Sequence, residues 1–214
     1  MGFCILIPTI NRKDLLLEAL VYYAIFYPNT KVLVWDNGNQ DIKPILENMQ
    51  VFNCDNSRGV AESWNELVIK AIKMGETNFL ILNDDIILKS GEGAINQMIA
   101  KGDENTFHRP HSLYNWSAVL LRESIFKKVG WFDEGFRKCY FEDNDYEYRM
   151  KLKGIHIKRE DALDPEVYEN SASIKKDPSL DNFLENREFY IKKWGGLPDS
   201  EVYLYPYNNE EIEK

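Results

Sequence analysis

Two acidic segments hold the residue types best suited to chemistry. Asn83-Asp84-Asp85 follows the apolar run Phe79 to Leu82. Adjacent carboxylates on a loop can hold a hard divalent cation, with water and phosphate oxygens completing its shell. A solvated turn explains the same residues, because Asn and Asp are common there for backbone reasons. The second segment, Phe141-Glu142-Asp143-Asn144-Asp145-Tyr146-Glu147-Tyr148-Arg149, gathers four acids at the start of a helical stretch. Carboxylates at a helix start cap open N–H groups and sit at the positive end of the dipole, which accounts for one or two of them. The flanking aromatic residues suit a sugar site, where rings stack and carboxylates bind hydroxyls. A carboxylate placed there can act as general base toward an alcohol. A third segment, residues 56–65 (Asn-Ser-Arg-Gly-Val-Ala-Glu-Ser-Trp-Asn), is a polar turn feeding an amphipathic helix. Gly59 and the first helical N–H groups suit a phosphate and Arg58 adds a cation, although an ordinary helix start serves equally well.

The elements that position these residues follow from periodicity. Phe3 to Ile7 is predicted as a strand ended by Pro8, Lys13 to Phe26 as a helix, and Lys31 to Trp35 as a strand ending in Asp36-Asn37-Gly38. Ala61 to Met74 carries Trp64, Leu67, Val68, Ala71 and Ile72 at helical spacing, with Gly75 as the residue past its end. Phe79 to Leu82 is a fully apolar strand. This alternation predicts an α/β fold with a mainly parallel sheet covered on both faces. Ligands of such sheets bind beyond the carboxyl ends of the strands. There stand Pro8, Thr9, Asn11 and Arg12, then Asp36 and Asn37, then Asn83, Asp84 and Asp85. In the second half Asn115 to Arg122 reads as a strand, Glu123 to Val129 and Asn144 to Lys153 as helices closed by Gly130 and Gly154, and Ile155 to Ile157 as an alternating stretch. Asp181 to Trp194 is a further helix ahead of Gly195-Gly196.

Composition narrows the partners. Against 26 Lys+Arg stand 35 Asp+Glu, a net charge of −9, which disfavours nucleic acid and anionic membranes as partners. Cys4, Cys54 and Cys139 are an odd count at unrelated spacings, which fits a cytoplasmic chain better than a disulfide framework or a closed zinc site. No apolar run approaches the roughly 20 residues of a membrane span. The glycine patterns of dinucleotide and P-loop sites and the G-x-S-x-G elbow are missing. His108 and His111 fall in a Pro-containing loop and read as surface residues; His156 completes the histidines without metal-site spacing.

The order of six blocks is more specific than any one of them. Residues 7–12 (Ile-Pro-Thr-Ile-Asn-Arg), 34–38 (Val-Trp-Asp-Asn-Gly), 56–65, 82–85 (Leu-Asn-Asp-Asp), 129–134 (Val-Gly-Trp-Phe-Asp-Glu) and 141–149 together resemble family 2 glycosyltransferases of the GT-A fold. The resemblance covers roughly residues 3 to 196 and includes Lys193-Trp194-Gly195. It is closest in form to rhamnosyltransferase-type branches. A weaker likeness runs to virus-encoded domains that glycosylate a capsid protein, for which the compartment would be the host cytoplasm.

That resemblance implies a single GT-A domain over 1–214, either whole or cut from a longer chain: a nucleotide-sugar half (1–105), an acceptor and catalytic half (106–196) and a tail (197–214). It places Pro8, Thr9, Asn11 and Arg12 on the first nucleotide loop and Asp36 at the base. Asn56, Arg58 and Gly59 would line ribose or diphosphate, with Asn83 and Asp84 beside the nucleotide. Asp85, with Asp84, would hold Mn²⁺ or Mg²⁺. Asp143 falls on the general base of inverting members, while Glu142, Asp145, Trp131 and Arg149 would shape the donor or acceptor sugar pocket. Two departures stand out. Asn83 replaces the first acid of a fuller metal triplet, and Tyr168-Glu169-Asn170-Ser171-Ala172-Ser173 lacks a His that members often carry at that place, so either Glu169 or Asn170 would substitute as an oxygen ligand or the metal would rely on Asp85, the diphosphate and water. The implied reaction is inverting, metal-dependent sugar transfer from a UDP-linked donor to a hydroxyl of a glycan or glycoprotein. The alternatives are a silent glycan- or nucleotide-sugar-binding domain and a sugar nucleotidyltransferase, although the latter would want a glycine-rich loop where Pro8 to Arg12 has none.

Overall fold

A computed structural model describes residues 2–54, 59–112, 116–167 and 172–210. In chain order the first half forms β1 (Cys4–Thr9), α1 (Lys13–Phe26), β2 (Lys31–Asp36), β3 (Met49–Asn53), α2 (Val60–Lys73), β4 (Asn78–Leu82), β5 (Ile86–Ile87) and α3 (Gly91–Lys101). The second half forms β6 (Thr106–Arg109), β7 (Ala118–Arg122), α4 (Glu123–Val129), α5 (Glu142–Leu152), β8 (His156–Arg159), β9 (Glu166–Val167), α6 (Ala172–Lys176) and α7 (Phe183–Trp194). Seven strands make one sheet in the order β3-β2-β1-β4-β7-β6-β8, and β5 pairs with β9 in a small second sheet. Only β7 runs against its neighbours; the other pairings of the large sheet are parallel. The expected mainly parallel α/β architecture is the observed one.

Strand alternation builds both cores. On β1, Ile5 and Ile7 face α1 and α3, while Cys4 and Leu6 face the layer that includes α2, α4 and α5. All four are fully buried, and each large aliphatic side chain so buried contributes about 1.5–3 kcal/mol. Pro8, expected to end this strand, lies within it. It pairs with Trp35 on β2, whereas β4 pairs only with residues Cys4 to Leu6, so the missing N–H costs no ladder bond on the β4 side.

One further expectation changes. His108 is not a surface loop residue: it sits in β6, fully buried, with Nδ1 3.1 Å from Glu160. Burial pulls its pKa below the ordinary value, with Glu160 opposing. His111 does lie outside the strands, its side chain about half exposed. The three cysteines are free, and no helix of the described residues is long and apolar enough to cross a membrane.

Gly59 precedes α2 at φ 148°, where its backbone bridges Lys138 and the Val60 N–H donates to the Lys138 carbonyl at 2.8 Å. A Cβ at this position would lie 2.5 Å from the Lys138 nitrogen. The glycine is therefore required by the approach of two backbones. Gly59→Ala should destabilise the chain by about 1–3 kcal/mol in urea unfolding; an unchanged midpoint would show that the two segments are not locked together.

Candidate active site

The carboxyl ends of β1 and β4 open into a cavity of about 1050 Å³. Pro8, Thr9, Asn83, Asp84 and Asp85 form one wall, and Lys138 to Asn144 form another. Gly59, Val60 and Trp64 come from the start of α2, and Ala172 to Ile174, Leu180 and Phe183 close the remaining side. Behind the floor, Trp116 stacks on Trp64 and Phe107 at ring distances of 5.7 and 5.1 Å, and its indole N–H donates to Glu147 at 2.6 Å. Glu147 also pairs with Arg109, so it joins β6, the floor and α5.

Asp84 and Asp85 are held by the sheet itself. The Asn83 N–H donates to the Ser117 carbonyl at 2.9 Å, which carries the β4–β7 pairing one residue further. Both carboxylates are 8% exposed. Burial pushes the Asp84 pKa up to about 7, against hydrogen bonds from Thr9 and the Ile10 backbone, and the charge of Asp85 pushes the same way. Asp84 Oδ2 is buried without a hydrogen-bond partner. A hard divalent cation fits such a pair, since it would compensate both charges and fill the vacant lone pair. The described residues form no cluster of three His, Cys, Asp or Glu, so their share of a shell would be these two carboxylates.

Glu142 and Asp143 open α5 on the facing wall. Phe141 precedes them at φ 69°, and the Asp143 Oδ1 accepts from the Asn144 N–H at 2.8 Å. Burial raises the Glu142 pKa well above the ordinary range, and Asp143 and Asp145 add to the shift. Asp143 is raised to about 6, chiefly by burial and also by Glu147, with the Asn144 N–H and Arg109 opposing. Unpartnered buried polar atoms recur around this cavity: Asn37 Oδ1, Trp64 Nε1, Asp84 Oδ2 and Glu142 Oε2 all belong to lining residues. Buried polar atoms rarely go unpaired, so their concentration marks a ligand site.

The other expected site residues lie elsewhere. Asp36 is fully buried and its carboxylate closes its own turn, accepting from the Gly38 N–H at 3.0 Å and from the Gln40 N–H at 2.7 Å. Arg12 pairs with Asp14 at 3.1 Å, and the Asn11 carbonyl accepts from Lys176. Asp145 is fully buried, accepting from Trp194 Nε1 at 2.8 Å, Lys193 at 2.6 Å and Arg149 Nε at 2.8 Å. Trp131 is 44% exposed and packs on Phe126. None of these lines the cavity. Asn56, Arg58, Glu169 and Asn170 lie outside the described residues. Asn37, Trp64, Trp116, Lys138 and Phe183 line the cavity without having been singled out for it. Only Asn37 had a sequence signal, its place directly after β2.

No family model matches the sequence, and neither does any curated protein. Solved structures do share the fold. S. aureus TarS is 16% identical with a TM-score of 0.56, over 72% of this chain and 34% of that one. GalNAc-T7, crystallised with UDP, GalNAc and Mn²⁺, is 12% identical with a TM-score of 0.60, over 91% of this chain and 49% of that one. At such identity the likeness establishes architecture, and the architecture is GT-A. The chain spans about a third to a half of the length of these proteins.

The raised Asp84 pKa has a stability consequence. Between the unfolded value of 3.8 and about 7 the native state binds the extra proton, so stability is present at low pH and is lost as pH rises through that window. In EDTA at pH 8, Asp84→Asn should therefore raise Tm by a few degrees, and it should shrink the further rise that Mn²⁺ gives the unaltered chain. A lower Tm for the variant in EDTA would refute this account of the carboxylate.

Proposed function

We propose that the chain is a glycosyltransferase domain that moves a sugar from a nucleoside-diphosphate donor, UDP-linked on this reading, to a hydroxyl of a glycan or glycoprotein. The observation that carries the proposal is the convergence of Asp84-Asp85 and Glu142-Asp143 on a single strand-end cavity of a GT-A fold. The reading draws support from GalNAc-T7, which shares the fold and was solved with UDP, GalNAc and Mn²⁺.

In this proposal the nucleotide lies over Pro8 and Thr9 at the end of β1, and Asp84 and Asp85 would hold Mn²⁺ or Mg²⁺. That cation supplies positive charge against the diphosphate as it leaves. Lys138 is the one cation among the described lining residues and adds to the same balance. Asp143 accepts the proton of the acceptor hydroxyl as its oxygen attacks the anomeric carbon from the face opposite the diphosphate, which inverts the configuration. The Asn144 N–H holds the Oδ1 of Asp143, and on this reading the Oδ2 would take the acceptor's proton. A base with a pKa of about 6 is ionised at neutral pH yet still takes a proton readily. Burial and its acidic neighbours raise the Glu142 pKa and so favour the protonated form, which can donate a hydrogen bond to a sugar hydroxyl.

Residues 1–105 would then serve the donor and 106–196 the acceptor, in the cytoplasm, with a rhamnose-type or hexose donor. Screening UDP- and other nucleotide sugars by thermal shift with and without Mn²⁺ identifies the donor. With that donor, Asp143→Asn should lower transfer by about 10²- to 10⁴-fold while donor binding stays within about threefold. For the unaltered chain, kcat/KM should fall about tenfold per unit below pH 6, since the base must be ionised. Full turnover by Asp143→Asn would remove this residue from the mechanism. Asp85→Ala should lose donor binding as EDTA does, and binding that survives both would end the claim of metal dependence.

A further inference from the structure

The backbone that delivers Glu142 and Asp143 is unusual. Lys138, Tyr140 and Phe141 have φ of 55°, 84° and 69°, so three of the four residues before Glu142 are non-glycine residues in left-handed conformation. Such conformations are costly and persist only where surrounding structure over-determines them. Here one side chain does much of that. Asn186, on α7 and 3% exposed, donates from Nδ2 to the carbonyls of Arg137 at 2.8 Å, Cys139 at 2.9 Å and Tyr140 at 3.0 Å. Its Oδ1 accepts from the Arg137 N–H at 3.2 Å. A carboxamide thus stands in for the hydrogen bonds that this stretch of backbone does not make with itself.

The helix bearing Asn186 is anchored at its far end as well. Trp194 and Lys193 both donate to Asp145 in α5, and Lys193 also reaches Asp133 at 2.6 Å. The 137–141 loop and α5 are therefore both referred to α7, one through Asn186 and the other through Asp145.

We infer that Asn186 is a positioning residue for the transfer: its carboxamide holds the left-handed loop that places Glu142 and Asp143 against the cavity. The inference rests on the function proposed above. It does not involve contact with substrate, because Asn186 does not line the cavity.

The test compares Asn186→Ala and Asn186→Asp with the unaltered chain. Asp keeps the size and the acceptor for Arg137 but sets a carboxylate against three carbonyl oxygens. Leu184→Ala, at an exposed position of the same helix, is the control. Amide hydrogen exchange should quicken by about tenfold or more across residues 137–145 in both Asn186 variants, with β1 and β4 unchanged. Transfer assays should show kcat lower by about tenfold or more and donor KM within about threefold, because a 1 Å misplacement suffices for losses of that order. Unaltered exchange across 137–145 would overturn the inference. So would an exchange increase spread evenly over the chain, with activity falling only as the folded fraction falls. If Asn186→Ala does not fold, Asn186→Ser, which keeps a single donor, is measured by the same two readouts against the same criteria. An unaltered chain that folds but transfers no sugar would overturn the function, and the exchange experiment would still decide whether Asn186 clamps the loop.

Discussion

Four carboxylates of one sign share a buried cavity, and much of the surrounding structure exists to hold them there. Charges of like sign in a poorly solvated space repel, and each is further penalised by burial. The chain meets this in three ways. Asp84 and Glu142 have pKa values displaced upward, so that protons are retained. Asp145, the nearby acid that lies outside the cavity, is fully neutralised by Arg149, Lys193 and the indole of Trp194. The remaining imbalance stays at the cavity, where Asp84 and Glu142 each keep an unpartnered oxygen. That imbalance is what a cation, a hydroxyl or a proton would relieve.

The two acid-bearing walls are supported by different means. Asn83 to Asp85 extend from β4, a strand hydrogen-bonded on both sides, so their place follows from sheet register. Glu142 and Asp143 stand on a helix start whose approach is left-handed and whose hydrogen bonds come largely from side chains on α7. The first wall is therefore as rigid as the sheet. The second depends on a few residues far away in sequence, among them Asn186, Lys193 and Trp194. The Lys193-Trp194-Gly195 block acquires a physical reason from this arrangement: the indole and ammonium neutralise Asp145, and Gly195 ends the helix at φ 77°.

Legibility in the sequence followed the same division. The bounds of α1 and α4 agree with their periodicity and closing signals, and β4 was readable because Phe79 to Leu82 are all apolar. The unread elements carry mixed signals. β3 is an edge strand of which only Met49 is buried, and α3 opens on Gly91-Glu92-Gly93, whose two glycines are poor helix formers while Glu92 is tied to Asn29 and Thr30. β6 contains Thr106, His108 and Arg109, whose polar groups are paired through Asp103, Glu160 and Glu147; a strand built on such pairs looks like a loop in one dimension. Within the site, strand-end position pointed to Asp84 and Asp85, and a helix start pointed to Glu142 and Asp143. The same signals pointed equally to Asp36 and Asp145. What separates them is whether the residue lines the cavity: Asp36 closes its own turn, and Asp145 is held by Arg149, Lys193 and Trp194.

The net charge of −9 gains a narrower meaning from these pairings. Many of the acids are solvated or matched, such as Glu76 with Lys31, Glu166 with Lys89 and Asp199 with Lys151. Exposed pairs of this kind contribute little to stability and respond to salt. Among the cavity acids, Asp84 and Glu142 are buried, and each keeps an oxygen without a hydrogen-bond partner among the described residues. Among described lining residues four acids face one lysine, so a diphosphate entering alone would meet repulsion from most of its surroundings. On the proposed function an anionic substrate and a multivalent cation would each be less favourable there without the other: the described residues offer the cation two adjacent carboxylates and the anion one lysine. Bound together, each supplies what the other lacks, so binding of the two is expected to be cooperative, with the degree of coupling set by the local charge of the cavity and not by the net charge of the whole chain.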